Sequence, residues 1–426
     1  MNRLIKRLAI ICGCVWLLTG CAMSRSVPVE PLADSDPARF VVVTLRNETA
    51  PSIPRAGSTV RGYEPPPAYS LAPATRSSAK AVATTHGLRE IAAWPIGLLG
   101  IHCVVYELPV GADRNAALER LRRDGRVESA QPYQAFSTLT SDADTVATSD
   151  PYRPLQRNLD MMDVAGAHVW SRGEGVRVAI IDTGIDASHP DLAGRVVKQE
   201  NFVDGSKSGR DRHGTAVAGV IAAVENNSQG IVGIAPAARL YAMRACWPAP
   251  RDDARAVCST LTLAKALAAA IEARMDIVNL SLTGPADPLL TRLVEVGLRR
   301  GLVFVGAMPP NSDGSVFPTG IPGVIGVDVA GAKASADAVL FAPASEVLTL
   351  VPDGRYDFLS GSSLAAASVS GGIALLLARD RNLRAENARD LLVRSSRNVA
   401  TSQGEAASVN LCAAMAALMH QAECKE

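Results

Sequence analysis

The stretch VAIIDTGIDASHPDL, residues 178–192, joins a short apolar run to a turn that begins with an aspartate. The apolar run extends from Val176 to Ile181 without the polar alternation of a half-exposed strand. Near-continuous apolar runs of this length are typical of parallel strands buried on both faces. Ligands of such sheets bind beyond the carboxyl ends of the strands, which makes Asp182 a candidate functional residue. The alternative is that Asp182 only forms a turn of the Asp-Thr-Gly type.

Similar runs recur along the rest of the chain and alternate with helical patterns. The further predicted strands are Arg239–Arg244, Asp276–Leu282, Leu302–Val305 and Gly323–Val329. The predicted helices are Thr215–Glu225, Leu261–Arg274 and Leu289–Arg299. This alternation predicts an α/β domain, with a doubly wound, mainly parallel sheet and helices on both faces.

Two more candidate residues open helices that are rich in small side chains. His213 lies in DRHGTAVAGVIAA, and Ser363 lies in FLSGSSLAAASVSGGIALLLAR, residues 358–379. A lone histidine at a helix start is more often a cap, and a serine there is a favoured N-cap of a closely packed helix. Each motif alone therefore has a structural explanation. Their joint order, Asp182, His213 and Ser363, is what suggests chemistry.

With these three motifs in register, the chain resembles the subtilisin-like serine peptidases over roughly residues 150–415. The matching motifs are Asp-Thr-Gly at Asp182, His-Gly-Thr at His213 and Gly-Ser-Ser-Leu-Ala at Ser363. The resemblance implies a serine endopeptidase that acts on polypeptides through this triad and an acyl-enzyme intermediate. It also favours Ser363 over Ser362 as the nucleophile, because the nucleophile of this family follows Gly-x.

The oxyanion segment departs from the family pattern. The family uses an Asn side chain in an Ala-Gly-Asn segment, whereas this chain has LVFVGAMPPNSDG, residues 302–314. A gap-free alignment puts Pro310 at that position, so the expected oxyanion donor is Asn311, one residue later. Asn311 as a simple turn residue is the alternative. This departure also motivates a second hypothesis for the whole chain, a catalytically silent lipoprotein that uses the same fold as a binding module.

Substrate binding and cofactors are also predicted from the resemblance. Ser281-Leu282-Thr283-Gly284 matches the strand edge that pairs with the substrate backbone, a mode of binding with weak sequence demands. No cofactor is expected. Calcium sites occur widely in the family, but no dense Asp/Glu loop in this chain carries a ligand pattern.

The N-terminal third has a different pattern, with the element order β-α-β-β-α-β. The predicted strands are Phe40–Arg46, Glu90–Pro95, Ile101–Leu108 and Val127–Phe136, and the predicted helices are Ser78–His86 and Asn115–Arg123. This order predicts a small α+β ferredoxin-like unit. The unit resembles the inhibitory propeptide of the family. Residues 47–77 are predicted as a long loop, and residues 137–150 as an exposed linker.

The first residues resemble an export signal. A basic start, MNRLIKR, precedes the apolar run LAIICGCVWLL, which is too short for an ordinary membrane span. Leu18-Thr19-Gly20-Cys21 resembles the bacterial lipobox, which implies lipidation of Cys21. Because Ala22 replaces the Asp of inner-membrane retention signals, the resemblance favours the outer membrane of a Gram-negative cell envelope. A cytosolic protein with an apolar first helix is the alternative.

Charge and cysteine content are consistent with an exported protein that does not bind nucleic acid. The chain of 426 residues has 43 Lys and Arg against 42 Asp and Glu and no basic run. The cysteines expected in the mature protein without lipid are Cys103, Cys246, Cys258, Cys412 and Cys424. Local pairing Cys246–Cys258 and Cys412–Cys424 is the simplest of three connectivities for these four. Cys103 is expected as a buried free thiol.

Together these features predict six segments in sequence. They are a lipoprotein signal peptide (1–20), a tether (21–38), a propeptide or inhibitor-like domain (39–137), a linker (138–150), a peptidase domain (151–415) and a C-terminal tail (416–426). The partners expected are polypeptide substrates, the chain's own propeptide and a lipid bilayer. Cleavage in the linker would separate the peptidase domain from its membrane tether. The alternative is an enzyme that stays tethered.

Overall fold

The structure is a computed structural model that describes residues 36–47, 71–138, 141–142, 152–203, 209–249, 252–309, 316–332, 339–401 and 404–421. For residues 135–138, 141–142 and 252–255 only the backbone is described. Three residues singled out in the sequence, Cys21, Asn311 and Cys424, lie outside the described residues.

The N-terminal unit has the predicted β-α-β-β-α-β order. Its elements are β1 (Phe40–Arg46), α1 (Pro73–His86), β2 (Arg89–Ile96), β3 (Ile101–Glu107), α2 (Arg114–Arg122) and β4 (Ser129–Pro132). The four strands form an antiparallel sheet in the order β2-β3-β1-β4. Helix α1 begins inside the segment predicted as a loop, because Pro73 occupies the first helical turn, where its missing N–H has no intrahelical partner to lose.

The predicted strand Val127–Phe136 is wrong, because two strands in different sheets replace it. Strand β4 ends at Pro132, and β5 (Ala135–Thr138) pairs with strands of the second domain. Between them the Tyr133 ring packs edge-on against Phe40, with 5.9 Å between the ring centroids. The predicted linker therefore begins with paired residues, and β6 (Ser141–Asp142) is also paired.

The second domain is larger and contains most of the elements. They are α3 (Arg157–Met161), α4 (Val164–Ala167), β7 (Arg177–Asp182), β8 (Val196–Asn201), α5 (Arg212–Ala222), β9 (Arg239–Arg244), β10 (Cys246–Ala249), β11 (Asp252–Ser259), α6 (Thr260–Glu272), β12 (Ile277–Leu280), β13 (Leu282–Thr283), α7 (Pro288–Arg299), β14 (Val303–Ala307), β15 (Ile325–Val329), β16 (Leu340–Ala342), β17 (Val347–Val351), β18 (Arg355–Ser360), α8 (Ser362–Arg379), α9 (Ala385–Arg394), β19 (Arg397–Thr401), β20 (Gly404–Ser408) and α10 (Leu411–Leu418). The last helix ends beyond residue 415, the predicted domain boundary.

A seven-stranded sheet organises this domain in the order β16-β15-β14-β12-β7-β9-β8. Every neighbouring pair in it is parallel. Along β7, Val178 and Ile180 pack in a core with α5 and α8, whereas Ala179 and Ile181 pack in a second core with α6 and α7. Both faces are therefore buried, which confirms the predicted doubly wound α/β fold and explains the unbroken apolar run.

The N-terminal sheet is also buried on both of its faces. Val41 and Val43 of β1 pack against α1 and α2, whereas Phe40 and Val42 share a core with α6 and α7 of the larger domain. Asp287 lies in this second interface, fully buried. The two helices α6 and α7 are thus sandwiched between the parallel sheet and the N-terminal sheet.

Helix α8 is long and apolar, and 89% of an 18-residue window in it is buried inside the protein. Its composition alone would fit a membrane span, but its burial makes it a core helix. Small residues permit its close packing. A Cβ atom on Gly371 would meet Ile234 Cβ at 2.7 Å, and one on Gly372 would meet Leu411 Cδ2 at 2.5 Å. The Ala- and Gly-rich sequence therefore seats α8 tightly behind the site described next.

Candidate active site

Asp182 is the last residue of β7, an interior strand of the parallel sheet. Its side chain is fully buried. Oδ1 accepts hydrogen bonds from the Thr183 N–H at 2.6 Å and from His213 Nδ1 at 2.7 Å. A carboxylate is stable in such a position only when it is paired and hydrogen-bonded. The His213 ring and the turn N–H supply those partners.

His213 lies in the first turn of α5 and is 5% exposed. Because the carboxylate of Asp182 only accepts hydrogen bonds, Nδ1 is the nitrogen that carries the proton. The other nitrogen, Nε2, is buried and has no hydrogen-bond partner within the described part of the chain. A neutral ring in this tautomer keeps its lone pair on Nε2, where it can accept a proton.

The glycines of the two motifs bring β7 and α5 together. The Gly214 N–H donates to Thr183 Oγ1 at 2.9 Å. A Cβ atom on Gly214 would lie 2.7 Å from the Thr183 carbonyl oxygen and 2.8 Å from that of Gly184. Only glycine fits this approach of two backbones. The Asp-Thr-Gly and His-Gly-Thr sequences are therefore two halves of one interlocked turn, which neither motif indicates alone.

Ser363 lies in the first turn of α8 and is fully buried. Gly361 precedes the helix with φ 143°, a backbone conformation that favours glycine. The Ser363 hydroxyl donates to the Ser281 carbonyl at 3.0 Å, and the Ser281 hydroxyl donates to the Ser363 carbonyl at 2.8 Å. Ser363 is thereby fixed to the segment between β12 and β13.

The predicted substrate-binding edge, Ser281 to Gly284, has three kinds of contact. Ser281 bonds to Ser363, as above. Leu282 and Thr283 form β13, which pairs with the backbone of β5 in the register Leu282 with Thr138 and Thr283 with Ser137. Gly284 instead exchanges two backbone hydrogen bonds with Phe317, at 3.0 and 2.9 Å. Among the described residues, the middle of this edge is therefore the part that pairs with the neighbouring extended chain.

Strand β11, which no pattern in the sequence predicts, forms a second wall of the cleft that holds β5. Strand β5 lies between β11 and β13 in a four-stranded sheet of the order β10-β11-β5-β13. Val257, Cys258 and Ser259 pair with β5 in antiparallel register. The signal that could have revealed β11 is the cysteine pair, because Cys246 and Cys258 lie directly opposite each other in the β10–β11 hairpin.

The backbone leaves the cleft beside the candidate nucleophile. In β6, Ser141 pairs with Ser360 and Asp142 pairs with Leu359 of β18, the strand that leads into α8. Strands β5 and β6 therefore lie on the two sides of Ser363, separated in sequence only by residues 139–140. The two strands that precede the larger domain thus pair with its strands β11, β13 and β18.

The remaining predicted cysteine states can be compared with the structure. The disulfide Cys246–Cys258 is present, with the two sulfurs 2.04 Å apart. Cys412 is disulfide-bonded, and Cys424 lies outside the described residues, so the pairing Cys412–Cys424 stays a prediction. Cys103 is a buried free cysteine, and burial raises the pKa of its thiol well above the usual value.

No group of three or more His, Cys, Asp or Glu side chains that could hold a metal ion occurs within the described ranges. The described residues do place a hydrogen-bonded carboxylate and imidazole, Asp182 and His213, at the carboxyl edge of a parallel sheet, and Ser363 beside the segment that follows β12. A model described as the Subtilase family matches residues 173–412.

The chain belongs to the subtilase family.

Two serine proteases are similar in sequence to this chain, and a solved structure shares its fold. The thermophilic serine proteinase of Bacillus sp. (strain AK1) is 31% identical over 282 residues, which cover 63% of this chain and 67% of that protein. The intracellular serine protease of Paenibacillus polymyxa is 32% identical over 243 residues, covering 52% and 72%. Fervidolysin from Fervidobacterium pennivorans, a keratinolytic enzyme related to subtilisin, shares the fold with a TM-score of 0.66 at 20% identity, covering 88% of this chain and 60% of its own. This subtilase is thus a subtilisin-like serine endopeptidase.

Proposed function

We propose that this subtilase hydrolyses peptide bonds through a triad of Asp182, His213 and Ser363, and that it does so after export. The observation that carries the triad is the 2.7 Å hydrogen bond from His213 Nδ1 to Asp182, with Nε2 left open. This tautomer is the one a general base needs, because the lone pair of Nε2 takes the proton of the nucleophile.

The reaction then follows in two steps. Ser363 Oγ attacks the carbonyl carbon of the scissile bond while His213 Nε2 takes its proton, and Asp182 stabilises the imidazolium that forms. His213 next protonates the leaving amine, and the C–N bond breaks to give an acyl-enzyme. In the second step, water gives its proton to His213 and attacks the ester. The carbonyl returns, and Ser363 regains its proton from the histidine.

The negative charge that develops on the substrate oxygen needs hydrogen-bond donors. Ser363 lies at the N-terminus of α8, where backbone N–H groups and the helix dipole favour such a charge. We propose Asn311 as the side-chain donor. Replacing one such donor typically lowers kcat by about 10²–10³. Asn311→Ala is therefore expected to give a slow enzyme, and unchanged kcat would leave Asn311 as a turn residue.

Labelling by a fluorophosphonate tests the triad, because the probe reacts only with an activated serine. The wild-type peptidase, freed of residues 1–138, should be labelled, and Ser363→Ala should lose labelling and about 10⁶-fold in kcat, the size of effect known for the corresponding serine in a subtilisin. Ser362→Ala, the adjacent buried serine, is the matched control and should keep both. Labelling that persists in Ser363→Ala, or is absent from folded wild type, would reject this triad. A folded chain without labelling would instead be a binding module.

The N-terminal unit is proposed to act as an intramolecular inhibitor and folding template. Strand β5 fills the space between β11 and β13, and β6 pairs with β18 on the other side of Ser363. A substrate would need the same main-chain partners, so the tail of the unit blocks it. Because β5 ends at Thr138 and β6 starts at Ser141, the bond cut during maturation is proposed to lie between these two residues.

Maturation by this cut would release the peptidase domain from its tether. Wild type and Ser363→Ala should be compared by fractionation and blotting, with N-terminal sequencing of any shorter form. Release predicts a shorter, soluble wild-type form that begins at residue 139, 140 or 141, and a full-length, membrane-bound alanine variant. If wild type is active while still full-length and membrane-bound, the enzyme works tethered and the release model is wrong.

Export and lipid attachment rest on the first residues alone. The proposal is that lipid on Cys21 holds the chain on the outer membrane of a Gram-negative envelope. Metabolic labelling with a radioactive fatty acid should label wild type and not Cys21→Ser, with Cys14→Ser as the control inside the apolar run. Fractionation that finds unlabelled protein in the cytosol would overturn this part and leave the triad untouched.

A further inference from the structure

Behind the candidate nucleophile lies a buried polar chain made of Ser370, Asn279 and Ser281. All three side chains are fully buried. Ser370 Oγ donates to Asn279 Oδ1 at 2.9 Å, Asn279 Nδ2 donates to Ser281 Oγ at 2.9 Å, and Ser281 Oγ donates to the Ser363 carbonyl at 2.8 Å. The buried polar chain therefore runs from α8 to the end of β12 and back to the main chain of Ser363 on the same helix.

The direction of these hydrogen bonds is determined by the chemistry of the groups. The amide nitrogen of Asn279 can only donate, so Ser281 Oγ must accept from it and use its single proton elsewhere. That proton goes to the Ser363 carbonyl. The amide oxygen of Asn279 can only accept, and Ser370 supplies its proton. With the amide reversed, Ser281 would donate to Asn279 and its bond to Ser363 would be lost.

The buried polar chain attaches α8 to the sheet at two places. Ser363 and Ser370 are seven residues apart, about 10 Å along the helix axis. Asn279 lies in β12, and Ser281 follows that strand directly. Two attachments to one strand end fix both the rotation and the axial position of α8. With a single attachment, only side-chain packing would resist rotation of the helix about it.

The end of this chain joins two parts of the catalytic apparatus. The Ser281 carbonyl accepts the proton of the Ser363 hydroxyl, and Leu282, the next residue, pairs with the extended chain in the cleft. Any shift of Ser281 therefore moves the nucleophile and the substrate-binding strand relative to His213. Catalysis is sensitive to such shifts, because misplacement of a reacting group by about 1 Å lowers the rate about 10²-fold.

We infer that Asn279 and Ser370 are positioning residues, which hold Ser363 in attack geometry through the hydroxyl of Ser281. The inference rests on the proposed function, because it has meaning only if Ser363 is the nucleophile. It predicts that damage to the buried polar chain lowers kcat and the fluorophosphonate labelling rate. The KM for a peptide bound along β11 and β13 should change less than kcat, because neither residue is hydrogen-bonded to these two strands within the described part of the chain.

The first test compares two serines on the same helix. Ser370→Ala removes the donor to Asn279, whereas Ser368→Ala removes an equally buried hydroxyl that has no hydrogen-bond partner in the described structure. We expect kcat to fall about tenfold in Ser370→Ala, since the strand keeps its attachment through Ser281. Ser368→Ala should stay within about twofold of wild type, and both variants should have similar KM values.

A second variant keeps the test valid if packing is disturbed. Asn279→Leu keeps a similar side-chain volume but can neither donate to Ser281 nor accept from Ser370, and its kcat should fall about 10²-fold. Equal kcat values for Ser370→Ala and Ser368→Ala would overturn the inference. The inference would also be overturned if only KM changed, or if the loss of kcat disappeared at temperatures well below the melting temperature of each variant. Activity retained in Ser363→Ala would instead overturn the proposed triad itself.

Discussion

Gln131 Nε2 donates to Asp287 Oδ1 at 2.7 Å, and this hydrogen bond joins the N-terminal unit to the larger domain. The same carboxylate caps α7 and accepts the Thr260 hydroxyl at 2.7 Å. Gln131 Oε1 accepts a hydrogen bond from the Leu289 N–H at 3.1 Å, so both the nitrogen and the oxygen of the Gln131 amide are hydrogen-bonded to the larger domain. Burial raises the pKa of Asp287. The N-terminal unit thus completes the hydrogen bonding of a helix cap that belongs to the other domain.

Replacing Gln131 should lower the affinity of the N-terminal unit for the peptidase domain. In Gln131→Ala, a buried carboxylate and a helix N–H each lose a partner, which costs about 1–3 kcal/mol. The fragment should therefore leave sooner after the linker is cut, and activity should rise earlier in a time course. Gln134→Ala is the control, because its bond to the Ala286 carbonyl at 2.7 Å is exposed. Identical time courses for the two variants would contradict this prediction.

Asp182→Asn should impair the chemistry and spare the fold. An amide at this position can donate to the ring, which favours the tautomer with its proton on the wrong nitrogen, and kcat should fall about 10⁴-fold. The measurement is steady-state kinetics on the mature form. Asp276→Asn, which loses an ion pair with Arg177 at the other end of the sheet, should change kcat by less than about twofold. Comparable losses in both variants would argue against a special role for Asp182.

Gly214→Ala should damage both stability and activity. The added Cβ atom would lie under 3 Å from two carbonyl oxygens of the Asp182 turn. Overpacking of this kind costs about 1–3 kcal/mol, and the strain falls on the residue after His213. Thermal unfolding and kcat should both be measured. For the thermal unfolding of the full-length chain, Gly125→Ala is the matched control, because nothing lies within 4 Å of its Cβ position. Full activity of Gly214→Ala would mean that the interlocked turn is more adaptable than its geometry suggests.

The disulfide Cys246–Cys258 should stabilise one wall of the cleft. It closes a loop with a sequence separation of 12 residues, and loops of about this length contribute about 3 kcal/mol in the chain-entropy model. In the Cys246→Ser, Cys258→Ser double variant, we expect a lower melting temperature and a higher KM for long peptides than for short ones. A non-reducing peptide map verifies the bond in wild type. An unchanged ratio of the two KM values would show that β11 keeps its position without it.

Acid should destabilise the N-terminal unit. Burial, together with the positive charge of Arg76, lowers the pKa of His102 to about 4, against 6.5 for an ordinary histidine. Between these two pH values His102 binds a proton in the unfolded chain and not in the folded unit. The free energy of unfolding should therefore decrease progressively as the pH falls from about 6.5 to about 4. Urea unfolding of Ser363→Ala across this range measures it. Adding His102→Leu should flatten the dependence, whereas His420→Gln, at an exposed histidine, should leave it unchanged.

The sequence predicts the parts of this molecule that depend on local patterns. Strand β7 can be predicted from the local sequence because its residues are apolar on both faces. Asp182 can be predicted as a functional residue because it ends that strand. Strand β11 cannot be predicted from the local sequence, because its main-chain groups pair with those of β5, more than a hundred residues away. The same holds for Ser370, whose partner Asn279 is 91 residues distant. The break between β4 and β5 is not predictable from the local sequence, because Tyr133 is a residue type that is common in strands. Its packing against Phe40 is a contact with a residue far away in the sequence.

The four residues of β5 lie between two strands whose main-chain groups they satisfy. If that segment departs, as the proposed maturation requires, the sheet lacks its middle strand and has an open edge on either side. Only a polypeptide with about four consecutive residues extended and unpaired can occupy such a gap. In the helices and strands of a folded protein, the main-chain N–H and C=O groups are already hydrogen-bonded to one another. The peptidase would therefore discriminate first by conformation, attacking termini, loops and unfolded chains, and only afterwards by the identity of the side chains.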